Sequence, residues 1–174
     1  NGADKIFLNS AAIKSPKLID DAVKRFGSST ISISIEANKI NSNNYFAFYD
    51  YGREYSKKDV YEWIKEVQSR GAGEIILTSI SFEGLAEGFD HNLVDSIEEI
   101  IEVPLIINGG AGSKEDVKKM LIKNHVSGVA ISSIFHYEMI NRNDFEFNKK
   151  KEGNYEFLTN KSYDYLSNKQ LISI

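Results

Sequence analysis

The sequence predicts an α/β fold in which a parallel β-sheet is joined by crossover helices. Short apolar runs alternate with segments of helical periodicity along most of the 174 residues. This alternation is typical of parallel strands that are connected by helices. A second observation supports the same fold class: two consecutive junctions rich in glycine and serine follow the last predicted strands, at 108–112 and 132–133.

The strands and helices are placed by their apolar pattern and by the residues that end them. Strands are predicted at 5–9, 30–36, 74–79, 104–108 and 127–132, and helices at 16–26, 57–70, 91–101 and from 113 onward. Gly27 and Gly71 are expected to end the first two helices. Ser56 is the predicted N-cap of the second helix. Glu115 and Asp116 suit the positive N-terminal end of the fourth helix.

Two segments depart from the simple alternation. The polar turn 41–44 lies between the apolar segments 32–37 and 45–49 and predicts a β-hairpin after the second strand. The segment 141–160 is polar and is interpreted as an insertion before a last helix at 161–168. We expect residues 1–174 to form one domain. Five core strands are compatible both with an open doubly wound sheet and with part of an eight-stranded barrel, which needs about 250 residues.

Composition excludes several classes of function. Net charge is −4, with acidic and basic residues interspersed, so no nucleic-acid partner is expected. The chain has no cysteine, and its three histidines, His91, His125 and His136, show no metal-ligand spacing. We therefore expect no metal and no cofactor. No apolar run is long enough to span a membrane, and the cytoplasm is the expected location.

The two glycine- and serine-rich junctions predict a phosphate site. Gly109 and Gly110 directly follow an apolar strand and precede a helix, so that backbone amides can approach an anion closely. Ser132 and Ser133 end the next strand. Consecutive strand-to-helix junctions of this kind fit one shared phosphate, although a tight turn that binds nothing explains the first junction equally well.

Eight short motifs then occur in order and point to one family. They are GADK at 2–5, NS at 9–10, GAGEI at 71–75, LTSI at 77–80, Gly84, GFD at 88–90, GGAG at 109–112 and SIFH at 133–136. In this order they resemble the second half of the cyclase subunits of imidazole glycerol phosphate synthase, a family of phosphate-binding barrels. The resemblance covers 2–137 and returns weakly near the last predicted helix.

The resemblance implies a fold and a reaction. The fold is a (β/α)8 TIM barrel, of which this chain contains strands four to eight and their helices. In the family, ammonia from a partner glutaminase crosses the barrel and reacts with a ribonucleotide that has two phosphate ends. The products are imidazole glycerol phosphate and an aminoimidazole carboxamide ribonucleotide, in histidine biosynthesis. The expected partners are therefore a glutaminase subunit and a phosphorylated small molecule.

The resemblance also implies two phosphate sites at opposite sides of the barrel mouth. The first contains the two junctions described above, with Gly109, Gly110, Ser132 and Ser133. The second lies opposite and contains Asn9 and Ser10.

Other residues correspond to the substrate face and to the floor of the barrel. Thr78 and Asn108 lie at strand ends that face the substrate. Lys5 and Glu74 match two members of a charged ring through which ammonia enters, although an ordinary ion pair that closes the floor is equally compatible with the sequence. Asp4 matches a contact to the glutaminase.

Two carboxylates depart from the family pattern. The family uses aspartates at the ends of strands one and five as general acid and base; Glu36 occupies the strand-five position, and the other position lies outside this chain. Glu83 stands in a substrate-lining loop where the family has an aspartate. One added methylene moves a carboxylate by roughly 1.5 Å, and a misplacement of about 1 Å can cost on the order of a hundredfold in rate.

Three functions follow from this pattern. The first is the family cyclase, with Glu36 as its catalytic carboxylate. The second is a paralogue that supplies ammonia for sugar amidation in surface-glycan biosynthesis, in a lipopolysaccharide or flagellin glycan. The third is a non-catalytic half-barrel that only binds a partner. The isolated chain is expected to be inactive, and either to be part of a longer protein or to self-associate through its open strand edge.

Overall fold

The computed structural model describes residues 2–40 and 44–135. This part of the chain has seven strands in one sheet. The strands are β1 (Ile6–Leu8), β2 (Ile31–Lys39), β3 (Tyr45–Tyr49), β4 (Glu54–Asp59), β5 (Glu74–Ser79), β6 (Leu105–Asn108) and β7 (Gly128–Ala130). The α-helices are α1 (Ser10–Lys14), α2 (Lys17–Phe26), α3 (Val60–Ser69), α4 (His91–Ser96) and α5 (Lys114–Leu121), and short 3-10 helices span Ser28–Thr30 and Glu98–Ile100.

Strand β2 is the centre of the sheet because it pairs with three others. Along one edge, β2 pairs in parallel with β5. Along the other edge, the first half of β2 pairs in parallel with β1, and the second half pairs antiparallel with β3. Strands β5, β6 and β7 continue the parallel order, and β4 pairs with β3. The five parallel strands form part of a barrel, with the β3–β4 hairpin added at its carboxyl end.

The two faces of the parallel strands differ in burial. On one face, Ile33, Ile35 and Leu77 are at most 1% exposed, because this face is covered by helices that contribute Ile19, Trp63 and Leu93 to the core. On the opposite face, Phe7 is 58% exposed, and Ser34, Ile76 and Ile106 are half-buried. This second face, the barrel-interior face, carries the polar residues predicted to bind substrate.

The start of α3 differs from the prediction. Residues 57–59 belong to β4, so α3 begins at Val60 and its N-cap is Asp59, whose carboxylate accepts hydrogen bonds from the amides of Tyr61 and Glu62. The prediction that Ser56 caps this helix is wrong, because its hydroxyl donates to the carbonyl of Ala47 across the hairpin. Aspartate competes well for this position because it is as strong an N-cap as serine and adds a charge that suits the helix dipole.

Most other predicted elements are confirmed. The hairpin predicted after the second strand is present as the antiparallel pair of β2 and β3, and the helix predicted from 113 is α5, capped by the Ser113 hydroxyl. The helix predicted at 91–101 is shorter and continues as a 3-10 helix. His136, the insertion at 141–160 and the last helix at 161–168 lie outside the described residues, and the single-domain reading of 1–174 stays a prediction.

Candidate functional site

Polar side chains from three neighbouring strands meet at one level of the barrel-interior face. Glu36 in β2, Thr78 in β5 and Asn108 in β6 are direct register partners. Such partners point to the same side of a parallel sheet, and the Asn108 amide donates to the Thr78 hydroxyl at 3.1 Å. The structure therefore brings these predicted site residues together at the carboxyl ends of their strands.

The turn after β6 requires glycine for steric reasons. Gly109 and Gly110 have φ angles of +92° and +106°, in the left-handed region. A Cβ on Gly110 would lie 2.0 Å from the carbonyl oxygen of Gly88, and the amide of Gly88 donates to the Gly110 carbonyl at 2.8 Å. The turn is thus locked to the loop before α4, and its close packing makes glycine necessary whether or not a ligand binds.

A pocket joins this turn to the end of β7. It is lined by Asn108, Gly109, Gly110, Ser132, Ser133 and Glu83, among others. The four residues predicted to share one phosphate therefore surround one space. Glu83 is the unexpected member, because a carboxylate opposes the binding of an anion.

The negative charge of Glu36 acts on the carboxyl group of Glu83. Although Glu83 is exposed as a residue, partial loss of solvent around its carboxyl group, together with the negative charge of Glu36, raises its pKa above the ordinary 4.5. Two carboxylates in one site commonly separate into a proton carrier and an ionised partner. The raised pKa means that Glu83 takes up a proton more readily than a free glutamate does.

The two residues predicted for the opposite phosphate site lie at the start of α1. Asn9 and Ser10 are half-buried there, and the Ser10 hydroxyl accepts a hydrogen bond from the amide of Asp50 at 2.9 Å. Among the residues that the structure describes, the buried Oδ1 of Asn9 has no hydrogen-bond partner. An unpaired buried amide oxygen is costly, and rotation of that amide would present its NH2 group as a donor instead.

The amino ends of the strands carry a second polar cluster. Lys5 Nζ lies 2.6 Å from Glu74 Oε2, and the Ser32 hydroxyl donates to Glu74 Oε1 at 2.7 Å. Burial alone raises the pKa of Glu74, but hydrogen bonds from Lys5 and Ser32 and the charge of Lys5 outweigh it, so that the pKa of Glu74 lies below 4.5. Asp4 is exposed next to Lys5. Thr78 lies four positions after Glu74 in β5, which is about 13 Å along a strand.

A buried aspartate between the hairpin and the β5 loop was not predicted. Asp90, 5% exposed, caps α4 through the amide of Leu93 and accepts hydrogen bonds from the hydroxyls of Tyr45 and Ser79 at 3.0 and 3.1 Å. Burial, followed by the charge and the hydrogen bond of Asp90, raises the pKa of Tyr45 far above its ordinary range. The network ties the hairpin to the parallel strands. The motif GFD at 88–90 contains this aspartate, but its partner Tyr45 is distant in sequence.

The described ranges, 2–40 and 44–135, contain no group of three or more side chains arranged to hold a metal ion. None of the helices in this part of the chain is long and apolar enough to cross a bilayer.

A family model described as "Histidine biosynthesis protein" matches residues 1–141. Relatives named "Imidazole glycerol phosphate synthase subunit HisF" are 43% identical in Helicobacter hepaticus and 40% identical in Hydrogenobaculum sp. and Natranaerobius thermophilus. Each match extends over 139 residues, which is 80% of this chain and 55% of the relative. The chain thus spans about half the length of the curated relatives it matches.

Proposed function

This chain belongs to the histidine biosynthesis protein family, and from that membership we propose that it forms the carboxyl-terminal part of a cyclase subunit of imidazole glycerol phosphate synthase. The observation that carries the proposal is the meeting of Glu36, Thr78 and Asn108 at one level, beside a glycine and serine pocket. This combination provides a carboxylate for proton transfer next to a place for a phosphate.

Two phosphate sites would hold the ends of the ribonucleotide. Amides of the turn at Gly109 and Gly110 and the hydroxyls of Ser132 and Ser133 would bind one phosphate, near the amino end of α5, where the helix dipole favours an anion. Ser10 and Asn9 would bind the other. A substrate that spans both sites passes over Glu36, because β2 lies between β1 and β5 in the sheet.

Glu36 would act as the general base or acid of the reaction. Its carboxylate stands at the strand end that faces the substrate, in register with Thr78. The neighbouring Glu83 would line the substrate and, with its raised pKa, could carry the proton that Glu36 gives or receives. The amide of Asn108, held by the Thr78 hydroxyl, would orient the substrate rather than exchange protons with it.

Ammonia would enter from the opposite end of the barrel. Lys5 and Glu74 lie at the amino ends of the strands, about 13 Å from the level of Glu36, and would form part of the gate. A glutaminase subunit that contacts Asp4 would supply the ammonia there. We propose the cytoplasm as the site of action, since the reaction uses soluble phosphorylated metabolites.

The proposal is tested by turnover in a complete barrel. This chain would be co-expressed with the segment of the Helicobacter hepaticus relative that it does not match. Formation of imidazole glycerol phosphate from the bis-phosphate ribonucleotide would then be measured with ammonium salt as the source of ammonia. We expect turnover, and a loss of about a hundredfold or more in Glu36→Gln. Glu102→Gln, at an exposed glutamate before β6, is the matched control and should be fully active.

Other outcomes would select a different function. A folded barrel that binds phosphate but gives no product would contradict the cyclase and favour the sugar-amidating paralogue. A barrel that binds neither phosphate nor ribonucleotide would favour a binding module.

A further inference from the structure

The turn that joins β3 to β4 reaches back over the carboxyl ends of the parallel strands. The amide of Asp50 donates to the Ser10 hydroxyl at 2.9 Å, and the amide of Gly52 donates to Glu36 Oε2 at 2.8 Å. A Cβ on Gly52 would lie 3.1 Å from the side chain of Ile80, which follows β5. Residues 50–53, called the hairpin tip below, therefore contact the ends of three parallel strands.

The backbone of the hairpin tip is strained. Asp50, Tyr51 and Gly52 have φ angles of 52°, 60° and 72°, so that three successive residues lie in the left-handed region. A residue with a side chain pays roughly 1–2 kcal/mol in this conformation. Tyr51 is 84% exposed, so burial of its ring does not compensate the strain. Such strain persists where surrounding contacts demand it, and it is concentrated at functional sites.

Contacts at both ends of the tip hold it in this shape. Arg53 donates from Nε to the Asp50 carbonyl at 3.1 Å, and its guanidinium group lies 3.7 Å from the Asp50 carboxylate. The other contacts are the two amide hydrogen bonds to Ser10 and Glu36. The tip thus directs backbone donors at two residues that the proposed function places in the site.

The direction of these hydrogen bonds keeps both residues available for a substrate. The Ser10 hydroxyl accepts from Asp50, so its own hydrogen points elsewhere and can be donated to a phosphate oxygen. Glu36 is held through Oε2. A carboxylate has two oxygens, and fixing one orients the group while the second oxygen carries out proton transfer.

We propose that the hairpin tip is a positioning element, in which the amide of Gly52 fixes the carboxylate of Glu36 in its reactive orientation. The length of Glu36 is part of this arrangement. A shorter aspartate would withdraw its carboxylate by roughly 1.5 Å and would no longer reach the Gly52 amide. The inference rests on the proposed function and assigns a role to a turn that the reaction does not otherwise use.

The kinetic test shortens the tip in the complete barrel described above. Residues 50–53 would be replaced by Asn-Gly, a two-residue turn that can join the paired residues Tyr49 and Glu54. We expect kcat to fall on the order of tenfold to a hundredfold while KM stays within about twofold. Glu54→Gln, at an exposed position on the same hairpin, should leave kcat unchanged. An unchanged or higher kcat in the shortened variant, with or without a lower KM, would show that the tip obstructs the site and would overturn the proposal.

A second readout needs no turnover. Hydrogen exchange of the Gly52 amide would be followed by NMR in the full chain labelled with 15N-glycine. Glu36→Gln keeps an acceptor oxygen at the same reach and should preserve protection, whereas Glu36→Asp should speed exchange roughly tenfold, the equivalent of one hydrogen bond. Equal protection in Glu36→Asp would overturn the anchoring of Glu36. Intact anchoring in a barrel that makes no product would count against the cyclase function and not against the anchor.

Discussion

The two ends of the parallel strands hold their glutamates in opposite electrostatic states. At the amino end, Glu74 is compensated by Lys5 and Ser32, and its pKa is lowered. At the carboxyl end, partial burial of the Glu83 carboxyl group and the negative charge of Glu36 raise the pKa of Glu83. The same residue type thus has a lowered pKa at one end of the strands and a raised pKa at the other.

Burial raises the pKa of both carboxyl groups, and the difference comes from the neighbouring groups that oppose or reinforce it. Glu74 has the less exposed side chain, at 13%, yet it is the one that stays ionised more readily. Hydrogen bonds to a charged oxygen outweigh desolvation, whereas a like charge adds to it. Under the proposed function, a floor that conducts ammonia would have its charges paired, whereas an end that moves protons would need a carboxyl group whose protonation changes easily.

The largest expected effect concerns the rigid turn at the carboxyl end. Gly110→Ala should destabilise the chain by roughly 2–5 kcal/mol, because a Cβ there meets the Gly88 carbonyl at 2.0 Å and the backbone is left-handed. Gly27→Ala is the matched control, with φ +86° and nothing within 4 Å of the added Cβ, and should lose less stability, because only backbone strain of roughly 1–3 kcal/mol is added. Urea unfolding of both variants measures the difference. Equal losses would contradict the close packing of the turn.

The features that depend on the local order of apolar residues and glycines could be predicted from the sequence. The parallel strands and the glycine turn after β6 are confirmed. Lys5 and Glu74, which the sequence matched to one charged ring, form an ion pair, and their role as a gate stays a prediction. Strand patterns give register, and register alone places Thr78 beside Asn108.

The contacts of the hairpin tip could not be predicted in this way. They join residues 16 and 40 positions apart, Glu36 with Gly52 and Ser10 with Asp50. They also require Tyr51 in a left-handed conformation that no propensity favours for tyrosine. The raised pKa of Glu83 was missed for the same reason, since it depends on where the loop after β5 places that carboxyl group.

A smaller loss of stability is expected when the ion pair between Lys5 and Glu74 is removed. Glu74→Gln should cost about 1 kcal/mol at pH 7, because one hydrogen-bonded ion pair with a partly exposed lysine is lost. The pKa of Glu74 is lowered on folding, so this contribution is present above pH 4.5 and disappears as the pH falls through the lowered pKa. Thermal unfolding of both proteins between pH 7 and pH 3 checks this. A stability difference that persists at pH 3 would show that shape, and not charge, is responsible.

The smallest expected effect is a gain in stability rather than a loss. The raised pKa of Glu83 means that its ionisation opposes folding above that pKa and has no effect below pH 4.5, where the folded and unfolded carboxyls are both protonated. Glu83→Gln should therefore stabilise the chain slightly at pH 7, by about 0.5 kcal/mol or less, and not at pH 3.5. Thermal unfolding of the unchanged chain and of Glu83→Gln at the two pH values measures this difference in stability. A loss of stability in Glu83→Gln at pH 7 would contradict the repulsion from Glu36.

The contrast between the two ends is tested most directly by titrating both carboxyl groups in one sample. Carbon-13 NMR of the glutamate side chains of the full chain, repeated in Glu36→Gln, gives both midpoints. We predict that Glu74 titrates below 4.5 and Glu83 above it, and that Glu36→Gln lowers the midpoint of Glu83 while that of Glu74 does not move. If Glu74 and Glu83 titrate on the same side of 4.5, or if the midpoint of Glu83 ignores the loss of Glu36, the proposed division between a paired floor and a proton-carrying face is wrong.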